Sequence, residues 1–311
     1  MPQVSIIIPS YNHSHFLKKR LKTIANQTFK DWEAIIIDDK STDDSVEVIS
    51  KFLEENPDFN VKHFIINETN SGSGYNSWQK GIELAETQFI WIAETDDYSD
   101  SNFLEQLVLI LDKNKNCSFA FCTSNYVEDD KTIYNSTRRT KNLKVDKGCF
   151  KIMDNKVLLN KMPFDTYITN GSSVVFRKPT NIISDEIFNN RLSSDLFLWS
   201  YLVQDKKFAF CNQNLNYFRR HEGSISTFLQ KNKLESSYHE KAKYLNYFSQ
   251  TYKYKQFIDH YIKYYIWTHK KDFLNTSSIL KIKVDKNLKV LYFYKLSKFT
   301  IHKLLKKCKI R

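Results

Sequence analysis

Apolar runs alternate with amphipathic stretches over the first hundred residues of this 311-residue chain. We predict strands in the four most apolar segments, VSIIIPS, WEAIIIDDKS, VKHFIINE and FIWIAETDD. Helical spacing of apolar residues predicts helices in HSHFLKKRLKTIANQT, DDSVEVISKFLEENP and SWQKGIELAE, the second of them capped by Thr42 or Asp43. Strands separated by helices of about 10–15 residues indicate βαβ units and a parallel sheet. From Cys117 to Thr227 the pattern predicts a mixed α+β continuation.

Three carboxylates, Glu94, Asp96 and Asp97, follow the fourth predicted strand. Crowded carboxylates repel one another and lose hydration, so they usually lie together because a cation or a ligand holds them. The preceding residues, Phe89 to Ala93, are apolar throughout, as expected of a strand that is covered on both faces. Ligands of open α/β sheets bind at the carboxyl ends of strands, where these acids lie. A solvated acidic turn is the alternative.

Polar residues also follow the first two predicted strands. They are Ser10, Tyr11 and Asn12 after the first strand and Asp38 and Asp39 after the second. Because the carboxyl ends of parallel strands meet at one edge of a sheet, we expect a single cleft there. The chain contains neither a GxGxxG motif nor a P-loop, which argues against a dinucleotide oxidoreductase and a P-loop kinase. An acidic cleft can still bind a diphosphate when a divalent metal neutralises the charge.

Positive charge is concentrated at the end of the chain. Residues 230–311 contain 20 Lys or Arg against 5 Asp or Glu, a net charge of +15, whereas the whole chain carries +12. No proline follows Pro179 and no glycine follows Gly223, so we expect a boundary near residues 225–240 before a basic, largely helical extension. The five cysteines lack metal-ligand spacing, and we expect reduced thiols in a cytoplasmic protein. We expect neither a signal peptide nor a membrane-spanning segment.

Seven motifs occur in one order along the chain: VSIIIPSYN, IIIDDKSTDDS, NSGSGYNSWQKGIELA, WIAETDDY, NGSSVVFRK, SSDLFLWSYL and LNYFRRHEGSIS. In this order they resemble family 2 glycosyltransferases over about residues 3–228. The resemblance implies the GT-A fold, a Rossmann-like α/β fold with a mostly parallel central sheet, and inverting transfer from a nucleotide-sugar donor. We therefore predict a glycosyltransferase domain over residues 1–228 and a basic, mainly helical extension over residues 229–311.

The same resemblance implies a donor site at the first three strand ends. The residues it places there are Pro9, Tyr11, Asn12, Asp38, Asp39, Asn70, Gly72 and Lys80. Asp39 resembles the carboxylate that accepts a hydrogen bond from the uracil ring N–H, and Asp38 supports the strand end or the ribose. A core position for Tyr11 and helix caps for the two acids are the alternatives. Lys40 stands where glycine is common, so we expect no positive φ there.

A metal site is implied on the other side of the cleft, with Mn²⁺ or Mg²⁺ as the cofactor. Asp97 resembles the metal ligand, Asp96 the acid on the ribose or metal side, and His221 the histidine that completes the metal and diphosphate site. Glu94 stands where the family more often has Asp. The predicted phosphate contacts are Arg219, Arg220 and Ser224. Solvated arginines and a structural histidine are the alternatives.

Asp195 is the predicted catalytic residue. It lies in the first turn of the apolar helix SSDLFLWSYL, where a carboxylate is stabilised in its charged form. This form suits a general base that takes a proton from an acceptor hydroxyl. Ser194 stands where related enzymes commonly have Glu, and a lone acid suffices for a single inverting displacement. An N-cap role for Asp195 is the alternative, and we expect Trp78 and Trp199 in the core.

We expect an inverting, metal-dependent enzyme that moves a sugar from a nucleotide sugar, by family habit a UDP-sugar, to a glycan or lipid-linked acceptor in cell-surface polysaccharide synthesis. A catalytically weak sugar-nucleotide-binding or scaffolding relative stays open. A sugar nucleotidyltransferase also stays open, although Asn12 and His13 replace its glycine- and arginine-rich first loop. From Lys281 onward, apolar residues recur at helical steps among lysines, which predicts a helix on an anionic surface at the inner face of the plasma membrane, or else a packing helix. No recognition fold accompanies this charge, so we expect no nucleic-acid partner.

Overall fold

A computed structural model of the chain describes residues 2–221, 234–249, 253–260, 293–294 and 297–298. The chain divides into two compact units, Met1–Glu222 and Gly223–Arg311. Our predicted domain boundary between residues 228 and 229 falls outside the described residues and stays a prediction.

Ten strands of the first unit form one mixed sheet among the described residues. The strands are β1 Val4–Ser10, β2 Trp32–Asp38, β3 Val61–Ile66, β4 Phe89–Ile92, β5 Tyr98–Ser99, β6 Cys117–Glu128, β7 Lys131–Asn135, β8 Phe150–Met153, β9 Val174–Arg177 and β10 Lys207–Arg219. Their order across the sheet is β3-β2-β1-β4-β9-β6-β10-β5, with β7 paired to β6 and β8 paired to β10. The four strands predicted before residue 100 are all present.

Helices of the first unit connect these strands. They are α1 Ser14–Ala25, α2 Ser45–Glu55, α3 Gly74–Leu84, α4 Phe103–Lys113, α5 Thr137–Thr140, α6 Asn155–Leu159, α7 Asp185–Phe188 and α8 Ser194–Val203. In the second unit the structure describes α9 Leu234–Tyr247 and α10 Tyr254–His260. The alternation of strand and helix up to β4 confirms the predicted α/β fold.

The direction of the strands changes where β9 enters the sheet. β1 pairs in parallel with β2 and β4, and β2 pairs in parallel with β3, as predicted. β9, however, lies antiparallel between β4 and β6, so the sheet is less uniformly parallel than we expected. The chain reaches β9 through a 3₁₀ turn, Gly171–Ser173, and Trp91 Nε1 of β4 donates to Ser172 O at 2.9 Å. Because this turn lies at the carboxyl end of β4, β9 runs away from that edge.

Apolar side chains cover both faces of β1. Val4, Ile6 and Ile8 lie in a core with buried residues of α1, α2 and α4. On the opposite face, Ile7 contacts Gly81 of α3, where an added Cβ would overlap the Ile7 side chain. This close approach explains why the first strand is apolar without alternation.

The predicted helix caps need two corrections. The N-cap of α2 is Asp44, and not Thr42 or Asp43. The Asp43 carboxylate instead accepts hydrogen bonds from the backbone N–H groups of Ser14 and Ser45, both at 3.0 Å, and so joins the first turns of α1 and α2. The N-cap of α8 is Ser193, which places Asp195 inside the first turn and excludes the cap role.

Several other expectations concern burial and the end of the chain. Trp78 and Trp199 are buried, as predicted. The four described cysteines, Cys117, Cys122, Cys149 and Cys211, are free thiols. The predicted surface helix from Lys281 onward lies outside the described residues, apart from 293–294 and 297–298. Within the described ranges, no helix combines the length and the apolar content that crossing a membrane requires.

Candidate active site

The carboxyl ends of β1, β2 and β4 meet at one edge of the sheet. Ser10 at the end of β1 pairs with Asp38 at the end of β2, and β4 pairs with β1 on the other side. The Thr95 hydroxyl, in the loop after β4, donates to Pro9 O at 3.2 Å. The predicted strand ends therefore form one cleft, and Pro9 lies between its two halves.

Asn12 joins the loops that follow β1 and β2. Its Oδ1 accepts a hydrogen bond from Thr42 N at 2.7 Å, and its backbone N–H donates to Ser41 Oγ at 3.0 Å. The φ angle of Asn12 is +51°, in the left-handed region that asparagine tolerates better than most residues. The neighbouring Tyr11 is 45% exposed, which excludes the core alternative. Contacts of both residues with a donor stay predictions.

Asp38 and Lys40 shape the turn after β2. The buried Asp38 carboxylate accepts from Ser41 N at 2.8 Å and from Ser41 Oγ at 2.6 Å. Lys40 has a φ of +63°, so our expectation that this turn needs no positive φ is wrong. The turn keeps the left-handed backbone that glycine supplies most easily, and the hydrogen bonds to Asp38 hold it in place. Neither Asp38 nor Asp39 is a helix cap.

The Asp39 carboxylate organises the loop after β3. Its oxygens accept hydrogen bonds from Asn67 Nδ2 at 2.8 Å, from Ser71 N at 3.0 Å and from Ser71 Oγ at 2.8 Å. Asp39 is also almost fully buried. The predicted hydrogen bond from a uracil ring would add to these donors, and it stays a prediction.

The other predicted donor residues surround Asp39. Lys80 Nζ donates to Asn67 Oδ1 at 2.8 Å, and Asn70 Nδ2 donates to Asp39 O at 3.0 Å. The backbone N–H of Gly72 donates to Asn70 Oδ1 at 2.7 Å. These three residues therefore hold the loop that carries Asp39, whatever contacts they make to a ligand.

On the far side of the cleft, His13, Asp96 and His221 converge. Each offers one ligand atom, and the three atoms lie within 4.8 Å of one another. His221 Nε2 is 3.2 Å from Asp96 Oδ2, and the His13 and His221 rings are 5.8 Å apart at 85°. The Phe16 ring lies 5.0 Å from the His221 ring and bounds the cluster on the α1 side. Two imidazoles and one carboxylate are a suitable ligand set for a divalent transition metal.

Hydrogen bonding leaves one His13 nitrogen for a ligand. Nδ1 of His13 lies 2.7 Å from Thr95 Oγ1, and the Thr95 hydroxyl proton goes to Pro9 O. The same oxygen can then accept from Nδ1–H, so that Nε2 carries the lone pair. Burial lowers the pKa of His13, although the charge of Asp96 opposes this shift. The neutral ring is the form that binds a metal. His13 is not among the metal ligands that the sequence predicts.

Asp96 and Asp97 have different surroundings. Burial raises the pKa of Asp96, but the hydrogen bond to His221 and the charges of the two histidines outweigh it, and the pKa lies below its ordinary value. Asp97 is buried, and its Oδ1 accepts from Arg219 N at 3.1 Å while its Oδ2 accepts from Asn170 Nδ2. Burial, with the charge of Asp96, raises the pKa of Asp97 to about 7.

The converging group overlaps the predicted metal ligands in part. It contains Asp96 and His221 together with His13, and it lacks Asp97, so the metal roles of all three predicted ligands stay predictions. Both oxygens of Asp97 accept hydrogen bonds from the protein, so this residue fixes the loop after β4 to β10. Within the described residues, Asp97 lies outside the group whose ligand atoms come together.

A buried arginine lies close to the acidic residues. Arg20 of α1 is fully buried, and its guanidinium carbon is 4.7 Å from the centre of the Trp91 ring. None of its three side-chain nitrogens has a hydrogen-bond partner among the described residues. Burial lowers the pKa of Arg20 to about 10, and the charges of Asp97, Glu94 and Asp96 oppose this shift. Arg20 thus supplies positive charge that partly compensates the crowded carboxylates.

Glu94 lies against the 3₁₀ turn that precedes β9. Its backbone N–H donates to Ser172 Oγ at 3.1 Å. Burial raises the pKa of Glu94 well above its ordinary value, and the charges of Asp97, Asp96 and Asp195 raise it further. This shift favours the protonated form of Glu94, which lies outside the group of His13, Asp96 and His221. The charge of Asp195 contributes to this shift, so Asp195 lies within electrostatic range of Glu94, and its role as the base stays a prediction.

Gly171 allows the turn before β9 to approach Glu94. A Cβ at this position would lie 2.5 Å from the Trp78 ring and 3.4 Å from Glu94 Oε2. A larger residue would displace either the Trp78 ring or the turn. Close packing against Trp78 and Glu94 therefore explains the glycine in the NGSS motif.

The two arginines at the end of β10 have protein partners. The Arg219 guanidinium carbon lies 4.5 Å from the centre of the Phe16 ring, and Arg219 Nη2 is 3.4 Å from Asp130 Oδ1. Arg220 Nη1 donates to the Tyr134 hydroxyl at 3.3 Å. Phosphate contacts of these arginines stay predictions, and Ser224 lies outside the described residues.

Comparison with known proteins gives consistent matches. Residues 5–178, more than half of the chain, match the family model for Glycosyl transferase family 2. The chain is 25% identical over 230 residues to glycosyltransferase GlyG of Streptococcus pneumoniae serotype 4, over 71% of this chain and 72% of that protein. It is 26% identical to the GalNAc(5)-diNAcBac-PP-undecaprenol beta-1,3-glucosyltransferase of Campylobacter jejuni, over 67% of this chain and 62% of that protein.

Another relative matches over a shorter segment. It is the putative teichuronic acid biosynthesis glycosyltransferase TuaG of Bacillus subtilis, 30% identical over 42% of this chain and 50% of that protein. The match thus spans between half and about three quarters of the length of these three relatives.

Solved structures share the fold at low sequence identity. Staphylococcus aureus TarS 1–349 in complex with UDP-GlcNAc matches with a TM-score of 0.60 and 17% identity, over 89% of this chain and 78% of that chain. The mannosyltransferase PcManGT of Pyrobaculum calidifontis, in complex with GDP-Man and Mn²⁺, matches with a TM-score of 0.50 and 14% identity, over 78% of this chain and 62% of that chain.

Proposed function

We propose that this chain, which belongs to glycosyl transferase family 2 and is therefore a glycosyltransferase, transfers a sugar from a UDP-sugar with inversion of configuration. The acceptor in this proposal is a hydroxyl of a glycan or of a lipid-linked molecule in cell-surface polysaccharide synthesis. The donor class is supported by the UDP and UDP-GlcNAc complexes of TarS, which has the same fold. The acceptor class is supported by the undecaprenol-linked substrate in the name of the Campylobacter relative and by the teichuronic acid role of TuaG.

The cluster of His13, Asp96 and His221 carries this proposal. A divalent metal bound there would neutralise the donor diphosphate and stabilise it as a leaving group. The two imidazoles favour a transition-metal ion such as Mn²⁺ over Mg²⁺, which prefers oxygen ligands. The cluster lies beside the loops of Asp38 and Asp39, where a nucleoside would bind at the ends of β1 and β2.

Asp195 performs the proton transfer in this proposal. Its carboxylate accepts the proton of the acceptor hydroxyl while the hydroxyl oxygen bonds to the anomeric carbon. The bond from that carbon to the diphosphate oxygen breaks on the opposite face, and its electron pair leaves with the diphosphate. The raised pKa of Glu94 favours its neutral form, which limits the negative charge near Asp195. One displacement of this kind inverts the anomeric configuration.

A panel of UDP-sugars tests the proposal. The full chain is incubated with Mn²⁺ and each donor, and released UDP is measured with and without EDTA. We expect metal-dependent release with at least one donor and a product of inverted configuration by NMR. If UDP binds by calorimetry but no donor is turned over, the chain is instead a sugar-nucleotide-binding relative. Formation of a UDP-sugar from UTP and a sugar phosphate would indicate a nucleotidyltransferase.

We also place the enzyme at the inner face of the plasma membrane, through its basic C-terminal extension. From Lys281 onward the sequence has 11 basic residues and one acidic residue, interleaved with apolar ones. Such a segment is attracted to anionic lipid, and salt weakens this attraction. The full chain should cosediment with vesicles that contain phosphatidylglycerol and be released by added salt. Equal binding to pure phosphatidylcholine vesicles would contradict this location.

A further inference from the structure

The β6–β7 hairpin places two stacked tyrosines at the edge of the cleft. Tyr126 lies opposite Tyr134 in the register of the two strands. Their ring centroids are 4.4 Å apart with planes at 21°, and the Phe218 ring meets Tyr126 edge-on at 5.3 Å. Arg220 Nη1 donates to the Tyr134 hydroxyl at 3.3 Å. We call Tyr126, Tyr134, Phe218 and Arg220 the tyrosine platform.

Tyr134 keeps an open surface within this stack. It is 47% exposed, although one face of its ring contacts Tyr126. The open side of Tyr134 is therefore available to a ligand. Exposed aromatic rings are common on protein surfaces, so the position of Tyr134 beside Arg220, which precedes His221, carries the assignment of a ligand to this ring.

Charged and polar contacts hold the hairpin in place. Asp130, in the turn between β6 and β7, lies 2.7 Å from Lys19 Nζ of α1 and 3.4 Å from Arg219 Nη2 of β10. At the other end of the hairpin, the backbone N–H of Ser124 donates to Ser136 Oγ at 2.9 Å. The rings are thus positioned before any ligand arrives, which reduces the entropy lost on binding.

The platform adjoins the metal cluster along β10. Arg220 directly precedes His221, and its backbone N–H donates to Val127 O of β6 at 2.9 Å. The residue before it, Arg219, donates its backbone N–H to Asp97 Oδ1 at 3.1 Å. The end of β10 therefore joins the acidic loop after β4 to the platform.

A second connection runs along β6. Ser124 Oγ lies 3.5 Å from Asn170 Oδ1, and Asn170 Nδ2 donates to Asp97. Tyr126 is two residues further along the strand, so its side chain leaves the same face of the sheet about 7 Å beyond Ser124. Tyr126 therefore lies one side-chain position beyond Ser124 on this face, and Ser124 is linked to Asp97 through Asn170.

The order of the strands separates two halves of the cleft. β1, β2 and β3, which carry the predicted nucleoside site, lie on one side of β4, while β6 and β10 lie on the other. The helix α8, which begins beside Asp195, contacts β6. Trp199 of α8 packs against Phe119, on the face of β6 opposite to Tyr126. The platform therefore adjoins the cleft through Arg220 and His221 at the end of β10 and not through α8.

We propose that the tyrosine platform binds a sugar ring of the acceptor, next to the unit that receives the new sugar. A pyranose ring presents C–H groups on one face, which stack on an aromatic ring, and the Arg220 guanidinium donates to its hydroxyls. This assignment rests on the proposed function, because it concerns the acceptor of that reaction. The acceptor is accordingly an oligosaccharide of pyranose units, free or lipid-linked, and not a single small hydroxyl compound.

Saturation-transfer NMR on the full chain tests the platform with three trisaccharides, chitotriose, cellotriose and β-1,4-galactotriose. We expect transfer to the sugar C–H protons of at least one of them, and a loss of about fivefold in Tyr134→Ala. Tyr134→Trp retains a ring and should retain the signal. Phe150→Ala removes an aromatic residue of similar exposure, 49%, on β8 and should leave the signal unchanged. Equal transfer to wild type and Tyr134→Ala, or no transfer from wild type to any trisaccharide, would overturn the proposal.

Hydrolysis of the donor without acceptor separates the platform from the proposed function. Metal-dependent UDP release to water requires the donor site alone, so Tyr134→Ala should keep this rate and the wild-type thermal midpoint. If wild type hydrolyses no donor while trisaccharide binding still depends on Tyr134, the proposed function fails and the platform stands. If Tyr134→Ala loses hydrolysis and sugar binding together, Tyr134 supports the whole site and the platform is rejected.

Discussion

Asp96 Oδ2 lies 3.2 Å from His221 Nε2, although 125 residues separate the two in the chain. This contact joins the loop after β4 to the end of β10, and His13, in the loop after β1, completes the cluster. The three strands run in the same direction and end at the same edge of the sheet. The candidate metal site thus depends on the shared direction of these strands, which brings their ends together, and on the types of residue at those ends.

Removal of a cluster histidine should weaken metal binding. For His13→Gln we expect Mn²⁺ affinity, measured by calorimetry with UDP present, to fall about 10–100-fold, because a ligand that Thr95 orients is lost. The matched control is His15→Gln, two residues along the chain and exposed. Unchanged Mn²⁺ affinity in His13→Gln would remove this histidine from the site.

Stability of the metal-free protein should depend on the protonation of Asp97. Since its pKa is raised to about 7, the native state binds more protons than the unfolded state between about pH 4 and pH 7. The contribution of Asp97 to the free energy of unfolding is therefore greatest below about pH 4 and is lost as the pH rises through 7, by at most about 1.4 kcal/mol per pH unit. In urea titrations with EDTA, Asp97→Asn should flatten this pH dependence, and the exposed Asp58→Asn should not. An unchanged slope in Asp97→Asn would contradict the raised pKa.

Replacement of Arg20 should have opposite effects at low and high pH. Arg20→Met removes a buried charge whose side-chain nitrogens have no hydrogen-bond partner among the described residues, which favours stability when the nearby acids are protonated. At higher pH the same change removes the charge that offsets Asp97 and Asp96. We therefore compare the free energies of unfolding of Arg20→Met and wild type at two pH values. Relative to wild type, we expect the variant to be less stable at pH 8 than at pH 5 by about 1–3 kcal/mol. Arg20→Lys keeps the charge and serves as control; a difference that does not change with pH would rule out this coupling.

Gly171→Ala should destabilise the first unit. The added Cβ would overlap the Trp78 ring and approach Glu94 Oε2, so we expect a loss of about 1–3 kcal/mol in the free energy of unfolding. Gly74→Ala, at the start of α3, meets no atom within 4 Å and should be neutral or slightly stabilising. Equal stability of both variants would show that the turn before β9 moves without cost.

The sequence predicts most of the parallel half of the fold and part of the site. Buried strands such as β2 and β4 contain continuous apolar runs, Ala34–Ile37 and Phe89–Ile92, and the acids after them mark the edge of the sheet where the cleft lies. The antiparallel entry of β9 has no such signal, because a short apolar strand reads the same in either direction. The positive φ of Lys40 could not be predicted, because lysine rarely adopts the left-handed backbone conformation. Here the hydrogen bonds of Asp38 stabilise that conformation.

His13 and Arg20 show what sequence reasoning missed. His13 reads as one of several polar residues after the first strand, and only the fold brings it to His221. For Arg20 a signal existed: it lies three residues after Leu17 and four before Ile24, on the apolar face of α1, where a charged residue is rarely buried without a partner. The hydrogen bonds of Asp97 with Arg219 and Asn170 join residues distant in the chain, which no local pattern predicts.

The rate of sugar transfer by Asp195→Asn decides whether Asp195 acts as the base. With an active donor and Mn²⁺, we predict a kcat at least about 100-fold below wild type, because the base is lost, and an unchanged Kd for UDP. Asp205→Asn, an exposed carboxylate just after α8, should behave as wild type. A kcat for Asp195→Asn within a few-fold of wild type would contradict the assignment of Asp195 as the base.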